Sequence, residues 1–270
     1  MNTKNIFKLV FLVLILVGCI NNADNSNNDS LKEIQLNLSG RIPDIELSNL
    51  IKESFFIKLQ TTNYAIIGNI DKIYLCNDTL FLSDGKSIYI FNSQGEFLNK
   101  ITRSGKGPFE YLYISDFSVN TNSKTIEIFC RGLKKFIRYD FNGKYIEENK
   151  IDRWATLYAD LPDNKKIIYS GNEIEHNNEY KLSELSNYQV TKKFIKIDKR
   201  KSKYLHILSS TNFSFYNDTI LFTEPFNDTI YNIINGRIYD RYVIKIDERK
   251  TIPSSFFDKK YSYILNFSTI

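Results

Sequence analysis

The chain offers charged and aromatic side chains of the kinds that bind a polar ligand, in chain order Asp84, Arg103, Lys106, Glu110, Arg131 and Trp154. The cations and acids can hydrogen-bond or pair with charged groups, and an exposed aromatic ring beside an arginine suits stacking on a sugar or a peptide. Trp154, the single tryptophan, has an alternative role, since it could instead pack inside the core. These six residues form the predicted ligand-binding set, provided that the fold brings them to one face.

Catalytic and metal-binding patterns are weak by comparison. The two histidines, His176 and His206, are isolated, without the His or Cys spacing that holds zinc. Carboxylates are plentiful, but the sequence does not single out a pair placed for general acid and base work. We therefore assign no catalytic residue, no metal and no cofactor.

The segment Gly105-Lys106-Gly107 has the composition of a phosphate-binding loop, but its context disagrees. A phosphate loop needs a helix directly after it, whereas here Pro108 leads into another strand pattern. We interpret the segment as a tight connection between two strands.

A recurring phrase predicts the elements that must position these residues. Phe91–Leu98, Phe141–Ile146 and Ile234–Ile238 each place a glycine turn between apolar runs, and their glycines are 48 and 93 residues apart. A missing copy is due near residue 189, where Leu185–Val190 supplies a polar turn without glycine. A period of about 46 residues filled with short strands is the size of one four-stranded propeller blade.

Alternating strands bounded by Asn, Asp, Gly and Ser clusters predict an all-β propeller of four-stranded antiparallel blades. The predicted blades run over Ile70–Ile101, Ile114–Ile151, Thr156–Ile197 and Phe213–Ile246, and Tyr261–Phe267 predicts the opening strand of a fifth. Connections between blades and between second and third strands share one face of a propeller. That rule gathers there Asp84, Lys86, Arg103, Lys106, Glu110, Arg131, Lys134, Arg153, Trp154, Glu173 and His176.

The first 19 residues indicate export. Lys4 and Lys8 precede an apolar run, Leu9–Val17, that is too short to span a bilayer. The run ends at Leu16-Val17-Gly18-Cys19, which resembles the bacterial lipobox, so that Cys19 would be acylated and become the first residue of the mature chain. Residues 20–30 are polar and predict a flexible tether to a folded domain over residues 31–270.

The charge distribution argues against nucleic acid as a partner. The formal net charge of +5 is small, and the cations are interleaved with acids rather than gathered on one element. The one dense basic run, Lys199–Lys203, is typical of a solvated loop, with anion binding as the alternative. Cys76 and Cys130 fall at opposite ends of strands in the blade alignment, so we do not expect a disulfide between them.

Several segments carry a family resemblance. Ile66–Ile70, Arg103–Tyr111 and Ile114–Phe117 resemble the six-bladed β-propeller lipoproteins of Gram-negative, Bacteroides-type bacteria, which are distantly similar to NHL-repeat proteins. Glu33–Leu36 and Phe55–Thr62 resemble the lead-in strands of that family. The resemblance implies six blades, no established catalytic residues, and a lipid-anchored protein of the outer membrane on either its periplasmic or its outer side.

Against six blades, the chain carries repeats for about four and part of a fifth. We therefore expect an incomplete six-bladed ring, in which the strands near Glu33–Leu38 and Phe55–Leu59 lack partners and Tyr263–Ile270 forms a bare sheet edge.

Four tripeptides match an O-glycosylation signal of exported proteins in the same lineages and make Ser30, Thr79, Thr219 and Thr229 candidate acceptors. The alternative for the three threonines is ordinary hairpin chemistry, because Asn-Asp-Thr is a favourable turn followed by a strand.

The sequence supports a membrane-anchored binding module whose partner is a glycan, a peptide or another envelope protein. The alternative is a propeller hydrolase or lyase acting on carbohydrate, and a third possibility is a structural envelope component. A cluster of perturbed carboxylates in the channel would favour the enzyme, and a polar face without such a cluster would favour binding.

The lipobox yields the first testable prediction. We expect Cys19→Ala to release the protein from membranes, because no other segment is apolar enough to hold it there. The measurement is sedimentation with the membrane fraction in high salt. A variant that still sediments would contradict the lipid anchor at Cys19 or show a second attachment.

Overall fold

The computed structural model describes residues 31–37, 46–172, 174, 178–203, 211–216, 219–225, 227–246 and 254–258. These residues form β-sheets joined by turns, together with short 3₁₀ segments at Leu47–Asn49, Arg131–Leu133, Lys201–Lys203 and Ser254–Asp258. The predicted all-β class is therefore confirmed. The signal peptide, the tether and the predicted fifth-blade strand Tyr261–Phe267 lie outside the described residues.

Four antiparallel meanders of four strands each confirm the predicted propeller blades. A short strand, β1 (Lys32–Leu36), precedes them. In order from the first to the fourth strand, blade 1 is β2 (Lys72–Cys76), β3 (Thr79–Ser83), β4 (Ile88–Asn92) and β5 (Phe97–Ile101); blade 2 is β6 (Asp116–Asn120), β7 (Thr125–Cys130), β8 (Lys135–Asp140) and β9 (Tyr145–Lys150); blade 3 is β10 (Leu157–Leu161), β11 (Lys165–Tyr169), β12 (Tyr180–Ser186) and β13 (Gln189–Lys196); and blade 4 is β14 (Phe213–Tyr216), β15 (Thr219–Phe222), β16 (Thr229–Ile234) and β17 (Arg237–Ile246).

The repeated turn between third and fourth strands is present in all four blades. In blades 1 and 2 it is a wider turn closed by Gly95 and Gly143, both at positive φ, followed by a bulge in the ladder. Blade 3 uses the two-residue turn Asn187-Tyr188, in which both residues have positive φ as a type I′ hairpin requires. The copy expected near residue 189 therefore exists, with tyrosine in place of glycine.

Apolar contacts pack consecutive blades face to face. Phe81 of blade 1 and Ile128 of blade 2 belong to one buried cluster, Phe136 and Tyr158 join blades 2 and 3, and Tyr169 packs edge-on against Phe222 at 5.0 Å between blades 3 and 4. Each blade therefore depends on a neighbour to cover its apolar face.

The first strand corrects one prediction. We expected Glu33–Leu38 to lack a partner, but β1 pairs in parallel with the second half of β17, with Lys32 opposite Tyr242 and Leu36 opposite Ile246. Its side chains are all exposed, so backbone hydrogen bonds and not burial hold this strand. The sheet of blade 4 is consequently five-stranded.

The second predicted lead-in strand, Phe55–Thr62, is not a β-strand. The chain there runs irregularly along the outer part of blade 1, where the Gln60 amide donates to the Gly95 carbonyl at 2.8 Å. Leu59 and Ile67 pack on the buried face formed by Leu80 and Tyr89, so the segment covers one apolar face of blade 1. Cys76 and Cys130 are free thiols.

One carboxylate connects three blades. Asp116, at the start of β6, accepts a hydrogen bond from Lys72 Nζ of blade 1 at 2.5 Å and one from the Tyr158 amide of blade 3 at 3.1 Å. The same carboxylate also accepts from the Phe117 amide at 2.8 Å. Because Asp116 is buried, each of these donors would lose its partner without access to water if the carboxylate were removed.

We therefore expect Asp116→Ala to lower the free energy of unfolding by about 2–4 kcal/mol, the range for breaking a buried charged hydrogen-bond network. Asp116→Asn, which keeps one carbonyl acceptor, should lose less. Urea denaturation measures both changes. The matched control is Asp78→Asn in an exposed turn, which should shift stability by at most about 0.5 kcal/mol. Equal effects of Asp116→Ala and Asp78→Asn would contradict the role assigned to Asp116.

Candidate functional site

The strand order fixes which loops share a face. First strands begin, second strands end, third strands begin and fourth strands end on the same side of the blades, here called the upper face. A cavity of about 320 Å³ opens on this face between the first strands of blades 1, 2 and 3. Its lining residues are Asp71, Lys72, Ser83, Tyr113, Ile114, Ser115, Asp116, Phe117, Arg131, Thr156 and Leu157.

The inner wall of the cavity is the ion pair between Lys72 and Asp116. Lys72 Nζ also donates to the Phe117 carbonyl at 2.9 Å, and its ring contact with Phe117 lies at 5.4 Å. Burial raises the pKa of the Asp116 carboxyl, although the neighbouring Lys72 ammonium acts in the opposite direction. The two charges offset each other, and both are committed to joining blades.

On the other side of the cavity, the Arg131 guanidinium lies against two aromatic rings. Its carbon is 5.6 Å from the ring centre of Tyr113 and 5.4 Å from that of Trp154, both within the range of cation–π attraction. Arg131 Nε donates to the Tyr113 hydroxyl at 3.2 Å, and the Arg131 amide donates to Ser115 Oγ at 3.0 Å. These contacts hold the side chain of Arg131 in one orientation at the cavity wall.

The connection from blade 1 to blade 2, residues 102–115, forms part of the same face and is held by buried hydroxyls. Tyr111 donates to the carbonyls of Lys86 and Ile101, and Tyr139 donates to the carbonyl of Phe109 at 2.7 Å. Burial raises the pKa of both phenols, so each stays a donor at neutral pH.

Within that connection, Gly105-Lys106-Gly107 forms a tight loop around a carboxylate. Glu110 Oε2 accepts from the Gly107 amide at 2.9 Å, and a Cβ placed on Gly105 would come within 1.9 Å of the same oxygen. The glycines thus let the backbone close around Glu110. The loop amide that an anion would need is already bonded to this chain's own acid.

The six predicted ligand-binding residues divide into three groups. Arg131 lines the cavity, and Trp154 stacks on it as a half-buried ring. Asp84 and Glu110 hold turns: Asp84 accepts from the amides of Lys86 and Ser87 and from the Tyr89 hydroxyl. Arg103 and Lys106 have exposed side chains on the connection and are not among the cavity-lining residues.

Sequence reasoning did not select Lys72, Asp116 or Tyr113 as site residues. Lys72 and Asp116 open their strands and resemble solvated turn residues, and Tyr113 resembles the many other aromatic residues of the blades. Their shared position, immediately before or at the start of a first strand, was an available signal, because first strands border the propeller axis.

The described part of the chain contains no cluster of three or more His, Cys, Asp or Glu side chains that could hold a metal ion. Nor does it contain a helix long and apolar enough to cross a membrane. Glu173, His176 and His206 lie outside the described residues.

Fold and site together define a β-propeller with a polar cavity where its first strands begin. Residues 31–268 match the model of the family described as "Domain of unknown function (DUF4934)", and the chain belongs to that family. No curated protein matches the chain.

Solved structures support the fold. A candidate exported protein of Bacteroides fragilis superposes with a TM-score of 0.66 at 21% identity, over 80% of this chain and 61% of that one. A member of the DUF4221 family from Bacteroides vulgatus gives a TM-score of 0.44 at 11% identity, over 69% of this chain and 61% of its own. The chain therefore spans somewhat less than two thirds of the length of these proteins.

The anchoring of the blade connection generates a pH prediction. Lys135 Nζ donates to Glu148 Oε2 at 2.9 Å, and the Phe109 amide donates to the same oxygen at 3.1 Å. Desolvation acts to raise the pKa of Glu148, but these hydrogen bonds outweigh it and leave the pKa below its ordinary value of 4.5. A carboxyl with a lowered pKa contributes stability above its unfolded pKa and loses that contribution as the pH falls through the folded pKa.

We expect Glu148→Gln to lower the free energy of unfolding by about 0.5–1 kcal/mol at pH 7, because the pair is partly screened by solvent. The difference from wild type should shrink as the pH falls below about 4.5. Urea melts of both proteins at several pH values measure it, with the exposed Glu53→Gln as control. A difference that is independent of pH would contradict this role for Glu148.

Proposed function

We propose that this chain is a lipid-anchored envelope protein whose upper-face cavity binds a glycan, a peptide or a partner protein. The observation that supports binding most directly is Arg131, which Tyr113 and Trp154 hold in a fixed orientation at the wall of a concave polar cavity. Binding sites are typically concave and combine aromatic surface with a few placed polar groups.

Among the three partner classes, the dimensions and lining of the cavity favour a glycan. At about 320 Å³ it lies at the small end of ligand pockets, which suits one or two sugar units better than a folded partner. Its wall presents the hydroxyls of Ser83, Ser115 and Thr156 and the carboxylate of Asp71, which are groups that can hydrogen-bond sugar hydroxyls.

For location, we propose export and anchoring in the outer membrane through acylated Cys19. The support is the lipobox-like sequence before the tether, together with the exported character ascribed to the similar Bacteroides fragilis protein. Several acyl chains would together hold the domain at a bilayer, since each buried methylene contributes about 0.8 kcal/mol.

We further propose that the four blades are part of a six-bladed ring that includes a fifth blade beginning near Tyr261. Support comes from apolar residues on first strands that no described blade covers. Ile73 and Leu75 of blade 1 are 58% and 55% exposed, and Phe215 and Tyr216 of blade 4 are 63% and 72% exposed. In a propeller such residues normally pack on a neighbouring blade.

O-glycosylation at Ser30, Thr79, Thr219 or Thr229 also remains a proposal. Thr79 and Thr219 begin second strands on the lower face, opposite the cavity, and Thr229 begins a third strand on the upper face. All three threonines are half-buried, and Thr229 Oγ1 donates to its neighbour Asp228 at 3.1 Å.

One observation favours the alternative of a carbohydrate hydrolase or lyase. Asp116 lines the cavity and has a raised pKa, as a general acid would. Against this role, both of its carboxylate oxygens already accept hydrogen bonds that connect blades. Turnover of carbohydrate that Asp116→Asn abolishes without loss of the fold would favour the enzyme.

To test binding, the protein is applied to glycan and peptide arrays beside a variant whose cavity mouth is obstructed. Asp71 is exposed at the cavity, and we expect Asp71→Trp to weaken capture of any array ligand at least tenfold, or about 1.4 kcal/mol. Lys144→Trp, which places the same bulk in an exposed turn on the lower face, should leave capture unchanged. Ligands that bind both variants equally, or no ligand at all, would contradict the proposed site.

A further inference from the structure

We propose that the cavity selects an acidic sugar, with the Arg131 guanidinium receiving the carboxylate of a uronic-acid unit. This inference rests on the proposed function and specifies the chemistry of its ligand.

Arg131 differs from comparable arginines in its partners. The guanidinium of Arg138 pairs with Glu127 at 3.0 Å and with Glu147 at 2.7 Å, and that of the buried Arg153 pairs with Asp152 at 3.2 Å. Among the described residues, no carboxylate lies within ion-pair distance of Arg131. A half-buried cation that has aromatic rings and a phenol for neighbours keeps its full charge available for an anionic ligand.

The donors of Arg131 are also available in the right form. Nε is used by the Tyr113 hydroxyl, while the described residues accept nothing from the two terminal nitrogens. Two parallel N–H groups of a planar guanidinium match the two oxygens of a carboxylate. Because Tyr113 and Trp154 already restrict the side chain, little conformational entropy remains to be lost when a carboxylate binds.

The rest of the cavity suits the sugar ring that would carry this carboxylate. Asp71 is exposed and has no ion-pair partner among the described residues; its Oδ1 accepts only from Asn69, which leaves Oδ2 for a ligand hydroxyl. Ser115 Oγ accepts from the Arg131 amide and can still donate its own hydrogen. The Lys72–Asp116 pair adds no net charge, so Arg131 determines the preference for an anion and Asp71 the preference for hydrogen-bond donors.

The test uses the emission of Trp154, the single tryptophan, which reports directly on the side chain that stacks against it. The full chain is titrated with glucuronate, with its uncharged methyl ester and with glucose, and separately with acetyl-glycylglycine as a carboxylate on a peptide. We expect saturable binding of glucuronate, at least tenfold tighter than of the ester or of glucose. This affinity should weaken between about 0.05 and 0.5 M salt.

Two variants separate the charge from the geometry of the fork. Arg131→Gln should abolish glucuronate binding, and Arg131→Lys should weaken it at least tenfold, because lysine keeps the charge but lacks the planar fork. Lys144→Gln on the lower face should bind like wild type, and thermal melts establish that each variant is folded. Isothermal calorimetry repeats the comparison without dependence on Trp154.

Each other outcome overturns the proposal. Equal affinity for glucuronate and its ester, unchanged binding by Arg131→Gln, or binding of the peptide alone would refute acidic-sugar selection, while the cavity would remain a binding site if Asp71→Trp still removed capture. If no array ligand and no titrated ligand binds, both the inference and the proposed function fail.

Discussion

A four-stranded antiparallel blade has two faces, and the arrangement of this chain follows from the need to cover both. Consecutive blades meet through continuous apolar clusters, such as the one that contains Phe81 and Ile128 and the one that contains Phe136 and Tyr158. Because this packing sets the spacing of the first strands, it also sets where their leading residues meet. The cavity is therefore a consequence of blade packing, since its walls come from three blades.

Polar contacts between the blades add specificity to apolar packing that by itself tolerates sliding. Asp116 connects blades 1, 2 and 3, Glu127 of blade 2 pairs with Lys166 of blade 3, and Lys181 of blade 3 pairs with Glu224 of blade 4. Buried ion pairs contribute little net stability, because desolvation costs about as much as the attraction returns. Their effect here is to penalise any other register, in which a charge would be buried without its partner.

The sequence was sufficient to predict the blades because their signals are local. Period-two alternation and turn residues predicted all four blades and the turn at Asn187-Tyr188, which a search for glycine alone would have missed. The partner of β1 could not be predicted in this way. Its residues are exposed, its pairing is parallel, and the two strands are distant in the chain, so no local pattern encodes the contact.

The same distinction applies to the site. Loop placement correctly brought Arg131 to the upper face, but the roles of Asp84 and Glu110 depend on hydrogen bonds to neighbouring amides that composition does not reveal. Lys72 and Asp116 were missed because their pairing joins different blades across 44 residues of sequence. Long-range pairs of this kind become visible only when the packing of the blades is known.

The contrast between Arg131 and the paired cations carries the functional argument furthest. Lys166 also lies near aromatic rings, those of Phe136, Tyr158 and Tyr188, but it additionally pairs with Glu127 and Asp160 and so is electrostatically satisfied within the fold. Arg131 has the aromatic neighbours without the acids among the described residues. A structural role between blades accounts for an acid-paired cation such as Lys166, whereas an arginine that is held rigidly at a cavity without an acid is better accounted for by a ligand that supplies the anion.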